Sequence, residues 1–271
     1  MFFYNNPYNI NYQLPRAILA FGQLIIILFT TQDVYGESVL GSYDFFNLLV
    51  ENKGFGIYFY VFTLLFVISG FLPQLSSILH FYFSMCYMYS SSVIEGGDQI
   101  ALILCVFFLP ICIFDKRLNN WKRSDFYRSF YIQYFVNSTF RVMQIQIAIV
   151  YLFAAAVKIK QNEWSSGSAI YYWFYNESFG ANEYVKNILG PLVNSHIISP
   201  FITWSVLVLE FILFLALFMS RSITNYLFYV AVFFHVMIGV IFGLWMFSII
   251  MIACLCILLT PNFMNYETKS V

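Results

Sequence analysis

The chain has 271 residues, of which 61% are hydrophobic, 22% aromatic and 10% charged, with 13 Lys and Arg balanced by 13 Asp and Glu. Soluble domains carry about 25% charged residues, so this composition specifies an integral membrane protein with no room for a sizeable soluble domain. The zero net charge leaves no basic field for nucleic acid phosphates, which excludes nucleic acid as a partner.

Crossing the hydrocarbon takes roughly 20 apolar residues, and the polar interruptions leave about eight such runs. The expected fold is an all-α integral membrane protein, a single polytopic transmembrane domain over residues 1–271. The first run, Pro15 to Thr31, opens with Arg16 and is not followed by a small-residue cleavage site, so it reads as a retained helix. A polar segment, Gln32 to Gly54, follows. Phe55 to Leu72 and Leu75 to Ser91 are then joined by Pro73 and Gln74 into a tight hairpin, because proline cannot continue a helix and disfavours helical geometry just before it. Ser90 to Gln99 is a polar loop, Ile100 to Phe114 a fourth span, and Asp115 to Arg128 the most basic stretch.

A long fifth helix runs from about Tyr131 to Val157. The aromatic and polar residues after it are too interrupted to span, and the region reads as an interfacial or re-entrant segment, where Trp and Tyr concentrate. Three more spans, Pro200 to Met219, Tyr226 to Gly243 and Trp245 to Pro261, complete the set, with a tight joint at Gly243. Alternation from a cytoplasmic N-terminus puts Arg16, Lys116, Arg117, Lys122, Arg123, Arg128, Arg221 and Lys269 inside, and Lys53, Lys158, Lys160 and Lys186 outside. The excess of inner positive charge predicts that both termini are cytoplasmic, with the aromatic segment on the outer face of a multi-pass cell-membrane protein.

Ionisable groups inside a bilayer cost about 2.5–3.5 kcal/mol each near the helix centre, so each needs a reason. Glu210 lies near the centre of the sixth span and His235 past the middle of the seventh. Those spans are expected to be antiparallel neighbours, so a Glu–His pair is allowed by depth, either as a structural bond or as a proton-handling pair. Arg141 and Gln144 share one face of the fifth helix, where the arginine can snorkel to headgroups. His80 reads first as a satisfied core histidine. Gly239 and Gly243 form a G-x-x-x-G pair suited to close helix approach. Lys158 and Lys160 close the outer end of the fifth helix, either as snorkelling cations or, if desolvated by the aromatic segment, as a base. The five cysteines all lie in or near apolar runs and read as small apolar fillers. Three histidines without clustered cysteines or carboxylates make no metal motif.

The stretch FFHVMIGVIFGLWMFSIIM, Phe233 to Met251, resembles the seventh-span region of vitamin K-dependent gamma-glutamyl carboxylases, with His235, Met237, Phe242, Met246, Phe247, Ser248 and Met251 at matching offsets. AAAVKIKQNEWSSGSAIYYW resembles the carboxylase stretch of lysine, then Trp, then Gly. Together these blocks resemble the horizontally transferred transmembrane family. LPRAILAFGQLIIILF, ISGFLPQLSSILHFYFS, EGGDQIALIL, LPICIFDKRLNNW, QIQIAIVYLFAAAVK, EWSSGSAIYYWF and TWSVLVLE carry a closer likeness, to the sporulation-delaying protein B family.

That resemblance implies a membrane component of an antimicrobial peptide maturation system, acting with a small soluble partner on a secreted precursor peptide. Asp98, Lys158, Trp164, Gly167, Glu210 and His235 fall on family motifs. By analogy with the carboxylases, Lys158 is the expected base and a reduced quinone the implied cofactor. Glu210 and His235 would manage the proton and Asp98 would orient substrate or quinone, while Trp164, Gly167, Tyr172, Arg141 and Gln144 are expected to hold the cofactor. Six residues separate Lys158 from Trp164 where the family has five, which makes Lys160 a rival. The chain also ends soon after its last span, without the carboxylases' large lumenal domain, so peptide recognition is expected from outer loops or another protein. The alternative is a non-enzymatic scaffold that presents the precursor.

Overall fold

The computed structural model describes residues 11–29, 53–91, 95–122 and 129–264. Among these the chain is helical apart from turns and isolated bridges, such as the antiparallel one between Phe71 and Asn119. The helices are α1 (Gln13–Phe29), α2 (Lys53–Ser69), α3 (Pro73–Ser90), α4 (Gly96–Ile113), α5 (Phe130–Lys158), α6 (Asn162–Ser165), α7 (Ala169–Phe174), α8 (Glu183–Val193), α9 (Ile198–Leu215), α10 (Arg221–Phe242) and α11 (Trp245–Leu259). Four of them, α4, α5, α9 with its short 3-10 extension, and α10, are long and apolar enough to cross a membrane; α1, α2 and α11 are shorter apolar helices. Most of the polar segment Gln32 to Gly54, and Arg123, Arg128 and Lys269 of the predicted inner charges, lie outside the described residues.

The expected hairpin turns at residues 70–72, with Pro73 in the first turn of α3, where its missing N–H leaves no bond unmade. The aromatic segment after α5 folds into the three short helices α6, α7 and α8. Of the Gly239–Gly243 pair, Gly239 alone serves the close approach of a neighbouring helix, α11. Gly239 leaves room for the Trp245 ring, which a Cβ would meet at 2.7 Å, and Gly243 adopts φ +72° to turn the chain from α10 into α11.

Helix α11 is the hub. It packs on α1, α4, α5 and α10, and Ile250, Ala253, Leu255 and Ile257 are completely buried. A helix that is apolar on every side belongs in an interior. Its 15 residues would reach only about 22 Å, short of the roughly 30 Å hydrocarbon, and its neighbours enclose it. Chain order sets some pairs, such as α10 with α11, but not all: α9 lies along α5, and α1 lies along α11.

Polar side chains tie the N-terminal helices together. His80 is a bonded core histidine, with Nε2 2.6 Å from Gln23 Oε1, and Gln23 Nε2 donates to Ser84 Oγ at 3.1 Å. At the end of the bundle where α1 begins and α4 ends, the Tyr12 hydroxyl donates to buried Asp115, which also accepts from Arg117 Nη2 at 2.7 Å. Burial acts to lower the Arg117 pKa, but the hydrogen bonds to Asp115 and the nearby Tyr12 outweigh it, so the net displacement is upward. Burial pushes the Tyr12 phenol well above its ordinary value.

A cavity around Lys158 as candidate functional site

Spacing on α5 builds one wall of a cavity. Tyr151, Ala154 and Lys158 are separated by three and four residues, so they stack on a single face. Val206 and Glu210 do the same on α9, and His235, Ile238 and Phe242 on α10. Phe247 and Met251 of α11 close the base, while Trp164 of α6 and Trp173 of α7 cover the Lys158 end. The cavity is partly open, holds about 270 Å3, and its walls are almost wholly apolar.

The polar groups in this apolar shell are few and specific. Lys158 Nζ donates to Glu210 Oε1, and the ammonium sits 5.4 Å from the centroid of the Trp164 ring. The Lys158 side chain is 24% exposed and that of Glu210 8%, so the pair is largely withdrawn from water, and each charge depends on the other to offset desolvation. Tyr151 Oη lies 3.1 Å from His235 Nε2. Three buried atoms are left without a hydrogen bond: Glu210 Oε2, His235 Nδ1 and Trp164 Nε1. Orphaned buried polar groups cost about 1–3 kcal/mol each, and three on residues lining one cavity describe a site that offers an indole donor, a carboxylate acceptor and an imidazole nitrogen to a ligand. The Lys158–Glu210 contact also allows a proton to pass between amine and carboxylate with no large movement.

Four of the predicted site residues, Lys158, Trp164, Glu210 and His235, come together here. The anticipated Glu–His pair is replaced by two others, Glu210 with Lys158 and His235 with Tyr151, because α9 packs on α5 rather than along α10. Lys160 is exposed on the turn after α5 and does not line the cavity. Gly167 supports the roof from behind: at φ +82° it reverses the chain between α6 and α7, and a Cβ there would approach Pro200 Cβ to 2.8 Å. Asp98 stands apart from the cavity. With Glu95 it forms a reciprocal cap at the start of α4, accepting from the Glu95 backbone N–H at 3.1 Å. Tyr172 is exposed and points away from the lining formed by its neighbour Trp173.

Arg141 and Gln144 line a separate cavity. Arg141 is 17 residues before Lys158 on the same helix, about 25 Å away along its axis, so the two cavities occupy opposite ends of the bundle. Tyr151 and Trp173 were not singled out from the sequence, and Phe247 only through the carboxylase resemblance. For Tyr151 a signal was present, since its place seven residues before Lys158 puts it two turns back on the same face.

An HTTM domain model matches residues 124–263. That span contains every residue lining the Lys158 cavity except Ile100. The chain is 33% identical over 273 residues to the sporulation-delaying protein SdpB of Bacillus subtilis (strain 168), covering 94% of this chain and 83% of that protein. It is 30% identical over 278 residues to the uncharacterized protein YitO of the same organism, covering 94% and 87%. No solved structure matches the chain.

Proposed function

The chain belongs to the HTTM domain family, and from that premise we propose that it is a multi-pass cell-membrane component of a toxin-production system. In this reading it matures an exported precursor peptide, together with a small soluble partner, at the face where Lys158 lies. In this reading about eight helices, α1 to α5 and α9 to α11, cross the bilayer, the short α11 inside the bundle rather than against lipid, and both termini are cytoplasmic. The supporting asymmetry is that Arg16, Arg117 and Arg221 lie at the end of the bundle away from Lys158, as the positive-inside rule requires of a cytoplasmic face.

The observation that carries the enzymatic reading is the apolar cavity in which Lys158, Glu210, His235 and Trp164 meet. A scaffold needs helices held together, and a solid core does that better than an internal space lined by three unbonded polar atoms. Glu210 holds the Lys158 ammonium and can take its proton, leaving a neutral amine as the base. Tyr151 fixes one nitrogen of His235, so that the other is left for substrate or for proton return.

The residues present fit the reduced quinone that the carboxylase resemblance implies. Trp164, Trp173 and Phe247 offer flat apolar walls for a ring, and Glu210 Oε2 is an unused acceptor for a ring hydroxyl. When bound, such a group supplies an acidic, oxidisable hydroxyl. Ligand pockets commonly span about 300–1,000 Å3, and this one lies at the small end; it suits a ring system or a single side chain rather than a folded segment of peptide. The bulk of the precursor would stay outside.

The test is the intact mass and yield of the secreted peptide from cells carrying wild-type protein, Lys158→Ala or Lys160→Ala. Loss of the mature species in Lys158→Ala, with Lys160→Ala unaffected, is expected. A normal mature peptide from a well-expressed Lys158→Ala protein would sink the lysine-base reading and favour the scaffold.

A further inference from the structure

The N-terminal helices enclose a buried cation of their own. Arg16, in the first turn of α1, is completely buried, although an arginine near a helix end ordinarily snorkels its guanidinium to water. Its partners are neutral: Nη2 donates to Ser76 Oγ of α3 at 2.9 Å and Nη1 reaches Gln13 Oε1 at 3.5 Å, while Nε makes no hydrogen bond. The described carboxylates of this half of the chain are engaged elsewhere. Asp115 is held by Tyr12 and Arg117, and Glu95 and Asp98 cap the far end of α4. Thr63 of α2 is also completely buried, and its Oγ1 has no hydrogen bond. Gln13 Nε2 donates to the Val67 carbonyl at 2.6 Å, which ties the start of α1 to the end of α2, so these two packed helices run antiparallel. Arg16 lies one turn beyond Gln13 and Thr63 one turn before Val67, which brings both to the same level.

We propose that the Arg16 guanidinium holds a small monovalent anion of the halide class, enclosed between α1, α2 and α3 with the Thr63 and Ser76 hydroxyls as further donors. A guanidinium keeps its proton inside a protein, so burial does not neutralise it. Withdrawing an unpaired ion from water costs far more than leaving one hydrogen bond unmet. A water molecule would meet the free N–H and leave the charge unbalanced, whereas an anion answers both. The available groups are donors, as a halide requires: the Arg16 Nε–H, the Thr63 hydroxyl, and the Ser76 hydroxyl, whose bond to the Pro73 carbonyl is long at 3.4 Å and is readily exchanged. Complete burial sets the size, because a lipid headgroup needs an opening to the surface and a monatomic ion does not. Bound there, the ion ties α1, α2 and α3 into one unit. The site lies outside residues 124–263 that the HTTM model matches, and it does not depend on what the Lys158 cavity binds.

The experiment purifies the full chain in detergent, throughout in chloride or throughout in gluconate at equal ionic strength. It then follows the melting temperature in each salt and measures, by ion chromatography, the chloride released when desalted protein is denatured. Wild-type protein is expected to release about one chloride per chain and to melt higher in chloride than in gluconate. Thr63→Val, which keeps the shape and removes a donor, should need about tenfold more chloride for the same occupancy. Arg16→Gln should release none, with Arg16→Lys keeping part of the binding because it keeps the charge. Chloride released from the gluconate preparation as well would mark an occluded ion and supports the proposal. Release that Arg16→Gln and Thr63→Val leave unchanged overturns the assignment to this site. Wild-type protein that releases no chloride and melts equally in both salts overturns the proposal and gives the free donors to water, even if the Arg16 variants fail to fold.

Discussion

Changing Glu210 to Gln leaves the Lys158 ammonium part-buried without its ion-pair partner, whereas replacing both members with apolar residues leaves no stranded charge. Glu210→Gln is therefore expected to destabilise by about 1–3 kcal/mol, at the low side for a buried pair because Lys158 keeps some solvent contact. Lys158→Met with Glu210→Leu should recover most of that loss, as read from thermal unfolding in detergent. A double variant no more stable than Glu210→Gln would show that the pair does not act as a unit. Tyr151→Phe keeps the ring and removes the bond to His235 Nε2. Its expected cost in stability is only about 0.5–1.5 kcal/mol, yet the yield of mature peptide should fall by more than the amount of folded protein does. Parallel losses would mean that Tyr151 only packs.

Element by element, the roof of the site depends on how tightly the chain can turn between α6 and α7. Gly167 sits at a left-handed φ with Pro200 against it. Alanine there meets both the backbone penalty of about 1–2 kcal/mol and the clash with Pro200. Gly167→Ala should therefore displace Trp164, which is buried against Ala169 and Leu207, and shift its fluorescence toward that of a solvated indole. An unchanged spectrum with a folded protein would show that the turn relaxes elsewhere. Helix periodicity made these elements legible: the apolar runs located α4, α5, α9, α10 and α11 to within a few residues, and Pro73 and Gly243 marked true turns. Of the Gly239 and Gly243 pair, Gly239 does admit a neighbouring helix, through the Trp245 ring of α11, while Gly243 ends α10, because a spacing of four is shared by facing helices and by a single helix end.

For the molecule as a whole, two cavities at opposite ends of one bundle, one holding Lys158 and the other Arg141 and Arg221, give it two chemically different faces. All five cysteines are buried, so single reporter cysteines can read the topology directly. Asn187→Cys, exposed on α8, is expected to react with a membrane-impermeant thiol reagent on intact cells. Lys122→Cys, exposed after α4, should react only once the membrane is opened. The reverse pattern would invert the proposed orientation and with it the face proposed for peptide maturation.

The sequence by itself determined the membrane character and the helical content. It also picked out Glu210 and His235 as costly exceptions, because the penalty for a charge in hydrocarbon belongs to each residue wherever its neighbours lie, and it marked Lys158 at the outer helix end through the family resemblance. Only the tertiary structure decided that Glu210 joins Lys158 and His235 joins Tyr151, that Asp98 caps a helix, and that Arg141 faces a different cavity. The physical reason is that contacts between helices follow from which helices pack together and how each is rotated about its axis. That choice is made by the fit of whole side-chain surfaces around α11, which no spacing within a single helix encodes.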